Sequence, residues 1–200
     1  MDTVTMKINN KTVTAEKGTT VLKAARNAGI GIPTLCENDE LEPFGACRLC
    51  MVEIDKGGRT KLVASCCYPV EEGLVVRTNS PRISKIRKVI LELLMPWAPY
   101  GPLPQMAKRY GADPSRFPLG KGEEPSQCTL CGRCVRYCAD VKKLNAVGYV
   151  GRGVSRRVEL MPELGNECIN CRACYSKEIC ESGKFVTMAE AFPFLPYQKR

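Results

Sequence analysis

At 200 residues, 44% apolar content and a formal net charge of +9, the chain suits one large or two small domains and is too apolar to be disordered. Its first residues, Met1-Asp2-Thr3-Val4-Thr5-Met6-Lys7, lack the apolar core of a signal peptide, and its most apolar run, residues 89–95, is short and carries Glu92, so a cytoplasmic location without membrane insertion is expected. With 17 Gly, 14 Pro and 6% aromatics, units this loop-rich need more than apolar packing, and the 13 cysteines are the candidate.

Val4-Thr5-Met6-Lys7-Ile8, an Asn9-Asn10 turn and Thr12-Val13-Thr14 read as a β-hairpin. A helix follows, capped by Thr19 or Thr20, filled by helix formers over residues 21–28 and stopped at Gly29. Ile32-Pro33-Thr34-Leu35-Cys36 then leads into a loop. Met51-Val52-Glu53-Ile54 and Lys61-Leu62-Val63-Ala64-Ser65 form two strands around a Lys56-Gly57-Gly58 turn, and Leu74-Val75-Val76 forms a third. Hairpin, helix and strands in this order predict an α+β unit of β-grasp type over residues 1–80.

Ile83, Ile86, Ile90, Leu93 and Leu94 recur at helical spacing, with Arg82, Lys85 and Lys88 on another face, so an amphipathic helix packs on its own domain and ends at Pro96. Residues 96–122 carry Pro96, Pro99, Pro102, Pro104, Pro114 and Pro118 with several glycines, which makes residues 81–122 a helix plus an extended strap. Residues 123–185 hold the later cysteine groups, separated by a hairpin-like insertion, Val147-Gly148-Tyr149-Val150-Gly151-Arg152-Gly153-Val154. The tail, residues 186–200, contains Phe192-Pro193-Phe194-Leu195-Pro196-Tyr197 and is expected to dock on a partner.

Cys128-x2-Cys131-x2-Cys134-x3-Cys138 matches the run in which three close cysteines wrap one cubane and the fourth reaches its neighbour. Cys168-x2-Cys171-x2-Cys174 repeats it but reaches Cys180 only after five residues. By the crossed rule, Cys128, Cys131, Cys134 and Cys180 hold one [4Fe-4S] cluster, and Cys168, Cys171, Cys174 and Cys138 hold the other. The proline usual after the fourth cysteine is replaced by Ala139 and Glu181, so the local turns differ from those of small ferredoxins. Zinc sites also use C-x2-C pairs, but they join two separated pairs, whereas each group here is a triplet with a trailing thiol. Structural disulfides do not suit a reducing cytosol.

Cys36-x10-Cys47-x2-Cys50-x15-Cys66 points to a [2Fe-2S] site, although its first gap exceeds the plant-type C-x4-C-x2-C spacing. Ile32-Pro33-Thr34-Leu35-Cys36, Gly45-Ala46-Cys47-Arg48-Leu49-Cys50 and Cys66-Cys67-Tyr68-Pro69-Val70-Glu71-Glu72-Gly73 resemble a domain shared by three groups. These are the large iron-sulfur subunit of respiratory complex I, the diaphorase iron-sulfur subunit of NAD-linked hydrogenases, and iron-only hydrogenases. The resemblance covers residues 1 to about 80 and about 123 to 185. It implies Cys36, Cys47, Cys50 and Cys66 as [2Fe-2S] ligands, Cys66 because it lies three before Pro69, with Cys67 spare. In an extended segment those two neighbours would point to opposite faces. These relatives usually carry a further cubane held by one His and three Cys; this chain has no histidine, and no cysteine lies between Cys67 and Cys128, so three clusters are expected. The fold class is therefore a β-grasp [2Fe-2S] ferredoxin domain followed by a bacterial-ferredoxin-like domain with two [4Fe-4S] clusters. Twelve thiolates around three oxidised clusters of about +2 each would bring the net charge of +9 to roughly +3, so much of the basic excess is compensation.

No His is present for acid-base work, no glycine-rich dinucleotide fingerprint occurs, and Gly151-Arg152-Gly153 is too short to cradle phosphate. The chain ends where the catalytic domains of its longer relatives would begin, so it reads as a relay, not catalytic alone. The resemblance implies a flavin- and NADH-binding subunit as partner. A hydrogenase, a formate dehydrogenase or an electron-bifurcating transhydrogenase that also uses ferredoxin stands at the far end. The alternatives are an autonomous ferredoxin-like carrier, against which the positive charge speaks, and a basic zinc- or nucleic-acid-binding module.

Overall fold

The computed structural model describes residues 2–183; the tail expected to dock on a partner lies outside them. The chain divides into two compact units, residues 1–37 with 43–90 and residues 38–42 with the chain from Leu91 onward.

In the first unit β1 (Thr3–Ile8) and β2 (Lys11–Glu16) form the expected hairpin, with Asn9 and Asn10 at φ 48° and 68°, the left-handed conformations a two-residue turn requires. β1 alternates, with Met6 and Ile8 buried and Thr5 and Lys7 exposed. α1 (Val21–Asn27) starts at Thr20, whose hydroxyl accepts the Lys23 N–H at 3.3 Å. β3 (Met51–Lys56) and β4 (Arg59–Ala64) pair antiparallel, and β5 (Val75–Arg77) completes a five-stranded sheet in the order β2-β1-β5-β3-β4. Only β1 and β5 run parallel, which makes this the mixed sheet of a β-grasp. Val21, Leu22, Ala24 and Ala25 of α1 join Met6, Ile8, Val52, Ile54 and Val76 of the sheet in one core.

α2 (Pro81–Trp97) keeps the predicted amphipathic register in its first half, with Ile83 fully buried, Ile86 packed on the first unit's core and Lys85 exposed, but not in its second, where Leu93 is 48% exposed and Glu92 is buried, and it runs one residue past Pro96. Arg87 breaks that pattern. It is 2% exposed, and its guanidinium donates to the carbonyls of Leu49, Thr78 and Met51 at 2.8–2.9 Å.

Residues 96–122 are not an extended strap. They contain α3 (Leu103–Tyr110), entered through Pro102 and closed by Gly111 at φ 60°, the usual proline-first, glycine-last punctuation of a helix. Glu92 of α2 anchors the loop after α3: 1% exposed, it accepts the Asp113 N–H at 3.3 Å and pairs with Arg116 at 2.8 Å. Gly101, at φ 62°, abuts the loop after Cys180, where an added Cβ would overlap the Glu181 carbonyl oxygen and lie 2.9 Å from its carbon. Gly101→Ala should therefore cost about 2–4 kcal/mol, against about 1 kcal/mol for Gly111→Ala, which has a similar φ but open space. Urea unfolding of the two variants side by side measures the difference.

The rest of the second unit is built of short pieces. α4 (Arg133–Arg136) continues as one π-turn, Tyr137–Val141; β6 (Val147–Val150) and β7 (Arg157–Leu160) form the expected hairpin; α5 (Gly165–Cys171) precedes a 3-10 turn, Ala173–Tyr175. Its core joins Leu41, Ala146, Val147, Val158 and Ile179 to Cys134, Cys138, Cys168, Cys174 and Cys180.

Candidate metal centres

In the first unit two backbone anchors bring the cysteines together. The amides of Val21 and Leu22, at the start of α1, donate to the carbonyls of Tyr68 and Ser65 at 2.9 and 3.0 Å, bracketing Cys66 and Cys67. Arg87 holds the carbonyls of Leu49 and Met51, bracketing Cys50. Between Cys36 and Cys50 the chain turns through Gly45 and Arg48, both left-handed at φ 67° and 60°. The outcome is two thiol pairs. Cys47 donates its N–H to Cys36 Sγ at 3.4 Å, and Cys50 and Cys66 share a hydrogen bond at 3.3 Å.

Cys36, Cys50 and Cys66 are each 1% exposed, whereas Cys67 is exposed. Cys66 and Cys67 sit in a turn, with the N–H groups of Cys67 and Tyr68 both on the Ala64 carbonyl, not in an extended segment. Their sulfurs are therefore 3.5 Å apart and not on opposite faces. The hydrogen bond from Cys66 carries the first ionisation of the Cys50–Cys66 pair down to about 6, and the partner thiol is pushed up by the same bond and by burial. Cys47 is likewise pushed up by its hydrogen bond with Cys36, then by burial.

In the second unit, the turn carrying Cys128 and Cys131 passes through Leu130 at φ 55° and Gly132 at φ 78°, and the Leu130 N–H points to Cys128 Sγ at 3.4 Å. Cys134 lies on α4 and Cys138 one turn later, so adjoining turns present a thiol to each of two groups. Burial pushes the Cys134 thiol up first, followed by the fields of Cys174, Cys131, Cys128 and Cys180. Burial pushes Cys174 up to about 12, followed by Cys138, Cys168, Cys171 and Cys180. Cys168 is raised by burial, then by Cys138 and Cys171. The Ala146 N–H donates to Cys138 Sγ at 3.1 Å.

Among the described residues no three or more His, Cys, Asp or Glu side chains converge on a single-ion site. The donor chemistry fits a sulfur-rich cluster at one buried atom: Arg133 Nε, on a residue between Cys131 and Cys134 in the chain, has no hydrogen-bond partner in the protein. Arg133 and Arg87 were not visible in the sequence as site residues. A cation among thiolates reads there as charge compensation, while Arg87, four residues after Ile83, at least sits at an apolar-face spacing.

Protonated thiols do not ligate metal, and burial or thiol neighbours raise Cys47, Cys66, Cys134, Cys168 and Cys174 across both units, so metal uptake by the chain should weaken as pH falls, which iron binding measured across pH checks.

A mixed β-grasp sheet whose loops deliver two thiol pairs defines a ferredoxin-type [2Fe-2S] domain. Residues 1–81 match the family described as a 2Fe-2S iron-sulfur cluster binding domain. The mitochondrial NADH-ubiquinone oxidoreductase 78 kDa subunit of Candida albicans is 34% identical over 75% of this chain and 24% of its own length. The NADPH-Fe(3+) oxidoreductase subunit alpha of Geobacter sulfurreducens is 31% identical over 97% of this chain and 25% of its own. That alignment has 218 positions, more than this chain possesses, so the relative carries additional residues within the matched region. A chain in the crystal structure of an NAD+-reducing [NiFe]-hydrogenase in its H2-reduced state superposes with a TM-score of 0.68 at 30% identity, over 79% of this chain and 75% of that one. The chain belongs to the family of iron-sulfur subunits of NAD(P)-linked oxidoreductases that these proteins represent. It spans about a quarter of the length of the curated relatives it matches. Among the described residues no helix is long and apolar enough to cross a membrane.

Proposed function

We propose that the chain is the electron-relay subunit of a cytoplasmic, multi-subunit NAD(P)-linked oxidoreductase. Cys36, Cys47, Cys50 and Cys66 would hold a [2Fe-2S] cluster; Cys128, Cys131, Cys134 and Cys180 one [4Fe-4S] cluster; Cys168, Cys171, Cys174 and Cys138 a second. When bound, these clusters supply one-electron steps between a flavin- and NADH-binding subunit, which takes hydride as an electron pair, and a second catalytic subunit or ferredoxin. The observation that carries this reading is the gathering of eight buried or half-buried thiols in the second unit beside two thiol pairs in the first. Cys180 neighbours Cys134 and Cys174 alike, so its place in the first cubane rests on the crossed spacing rule, while burial favours Cys66 over exposed Cys67 in the [2Fe-2S] set.

The chain's own residues hold and insulate the donors: buried thiols exclude water, and backbone N–H groups at Cys36, Cys128 and Cys138 point at sulfur, where they favour the thiolate. Cys128 also lines a cavity of about 290 Å³ with Leu94, Trp97, Leu130 and Val154, which gives the first cubane set an accessible edge for electron exchange.

Anaerobic purification tests the reading. Roughly ten iron atoms with equal sulfide per chain, two classes of EPR signal and co-elution with a flavoprotein are expected. A colourless zinc protein would overturn it, and a fully loaded chain that elutes alone and exchanges electrons freely would replace the subunit with an autonomous carrier.

A further inference from the structure

Resting on that reading, we propose that Arg133 is a positioning residue for the first cubane: its guanidinium fastens the Cys180 loop to the Cys128–Cys134 turn while its Nε–H donates to cluster or cysteinyl sulfur. Arg133 is 4% exposed and sits between two donors, Cys131 and Cys134. Its terminal nitrogens reach the opposite arm of the crossed set. One donates to the Glu178 carbonyl and the other pairs with the Glu181 carboxylate, which places one contact on each side of Cys180.

Five residues separate Cys174 from Cys180, where three separate Cys134 from Cys138, so the Cys180 loop has more freedom than a short turn would allow. The guanidinium fork removes that freedom by binding the loop at two points from a helix that also carries Cys134. Gly101 closes on the same loop at Glu181.

The third nitrogen of the guanidinium, Nε, is buried without a hydrogen-bond partner. A buried N–H without an acceptor costs about 1–3 kcal/mol, and native proteins rarely leave one. Arg133 Nε has no acceptor in the protein and belongs to one of the two residues between Cys131 and Cys134, where thiolate and sulfide are the acceptors the proposed cubane would provide. Hydrogen bonds and positive charge at cluster sulfur favour the reduced state.

Arg133→Met and Glu181→Gln in the holoprotein separate the two roles. With the fastening lost, the Cys180 corner should release its iron, and a [3Fe-4S] EPR signal should replace one cubane in both variants, while the second cubane and the [2Fe-2S] cluster stay intact. Arg133→Lys keeps a charge for Glu181 but has no Nε. Its first cubane should stay four-iron and titrate at lower potential, with at least a tenfold smaller reduced-to-oxidised ratio at the wild-type midpoint, which for one electron corresponds to 59 mV. Four-iron cubanes at unchanged potentials in Arg133→Met and Arg133→Lys overturn the proposal. Equal loss of all three clusters in Arg133→Met, with Glu181→Gln unchanged, also overturns it. A wild-type chain lacking cubane iron would instead overturn the relay reading itself.

Discussion

Removal of iron from the holoprotein is expected to unfold the second unit and leave the first largely intact. Among the described residues, five of the eleven buried in the second core are cysteines, and the aliphatic remainder is Leu41, Ala146, Val147, Val158 and Ile179. The elements around them are short: α4 has four residues and the β6–β7 hairpin has four per strand. Neither holds itself together in water, because isolated short helices and two-stranded hairpins are at best marginally stable. With the proposed clusters in place, crossed thiolates would tie Cys134 to the Cys180 loop and Cys138 to α5. Without them, each buried thiol lines a void and loses its partner atoms. The first core differs, with Cys50 and Cys66 as its two cysteines among seventeen buried residues drawn from α1, five paired strands and their loops. Chelation under reducing anaerobic conditions should therefore open proteolytic sites within residues 123–183 while those in residues 2–80 stay protected, and far-UV circular dichroism should lose helix more than sheet. Equal protection of both units after iron removal would contradict this.

The same contrast explains how much of the molecule is legible in the chain. Alternation of Val4, Met6 and Ile8, the Asn9-Asn10 turn and the Thr20 cap are local signals, and each produces its element within a residue or two. Cysteine spacing is a local signal of the same kind, because a cubane would impose its own short repeat on the sequence. Residues 96–122 read as a strap because proline and glycine mark helix ends as well as linkers. Pro102 and Gly111 bound α3, and the tie of Asp113 and Arg116 to Glu92 has no sequence signature. Cys66 and Cys67 look like alternate faces of an extended segment, but the Ala64 carbonyl folds them into a turn. Arg87 and Arg133 are hidden for one reason: a guanidinium's depth depends on carbonyls that converge on it from distant sequence, such as Leu49, 38 residues before Arg87.

Arg87 is where that hidden contribution should be largest in the first unit. Its Nε and two terminal nitrogens donate to the carbonyls of Leu49, Thr78 and Met51, and the group is 2% exposed. Arg87→Met keeps an unbranched aliphatic side chain but leaves those three acceptors without their donor. At about 1–3 kcal/mol for each orphaned buried acceptor, partly relieved by water, the expected loss is about 3–5 kcal/mol, a large share of the roughly 5–15 kcal/mol that holds a small domain. The damage is also directed. Leu49 and Met51 flank Cys50, so the freed backbone loosens the thiol that pairs with Cys66 at 3.3 Å. The variant should lose its [2Fe-2S] signal at denaturant concentrations where the cubane signals persist. Lys85→Ala, on the exposed face of the same helix, should change stability by less than about 0.5 kcal/mol. Urea unfolding monitored by visible absorption and EPR compares the two, and equal midpoints would show that Arg87 does not hold the Cys50 loop.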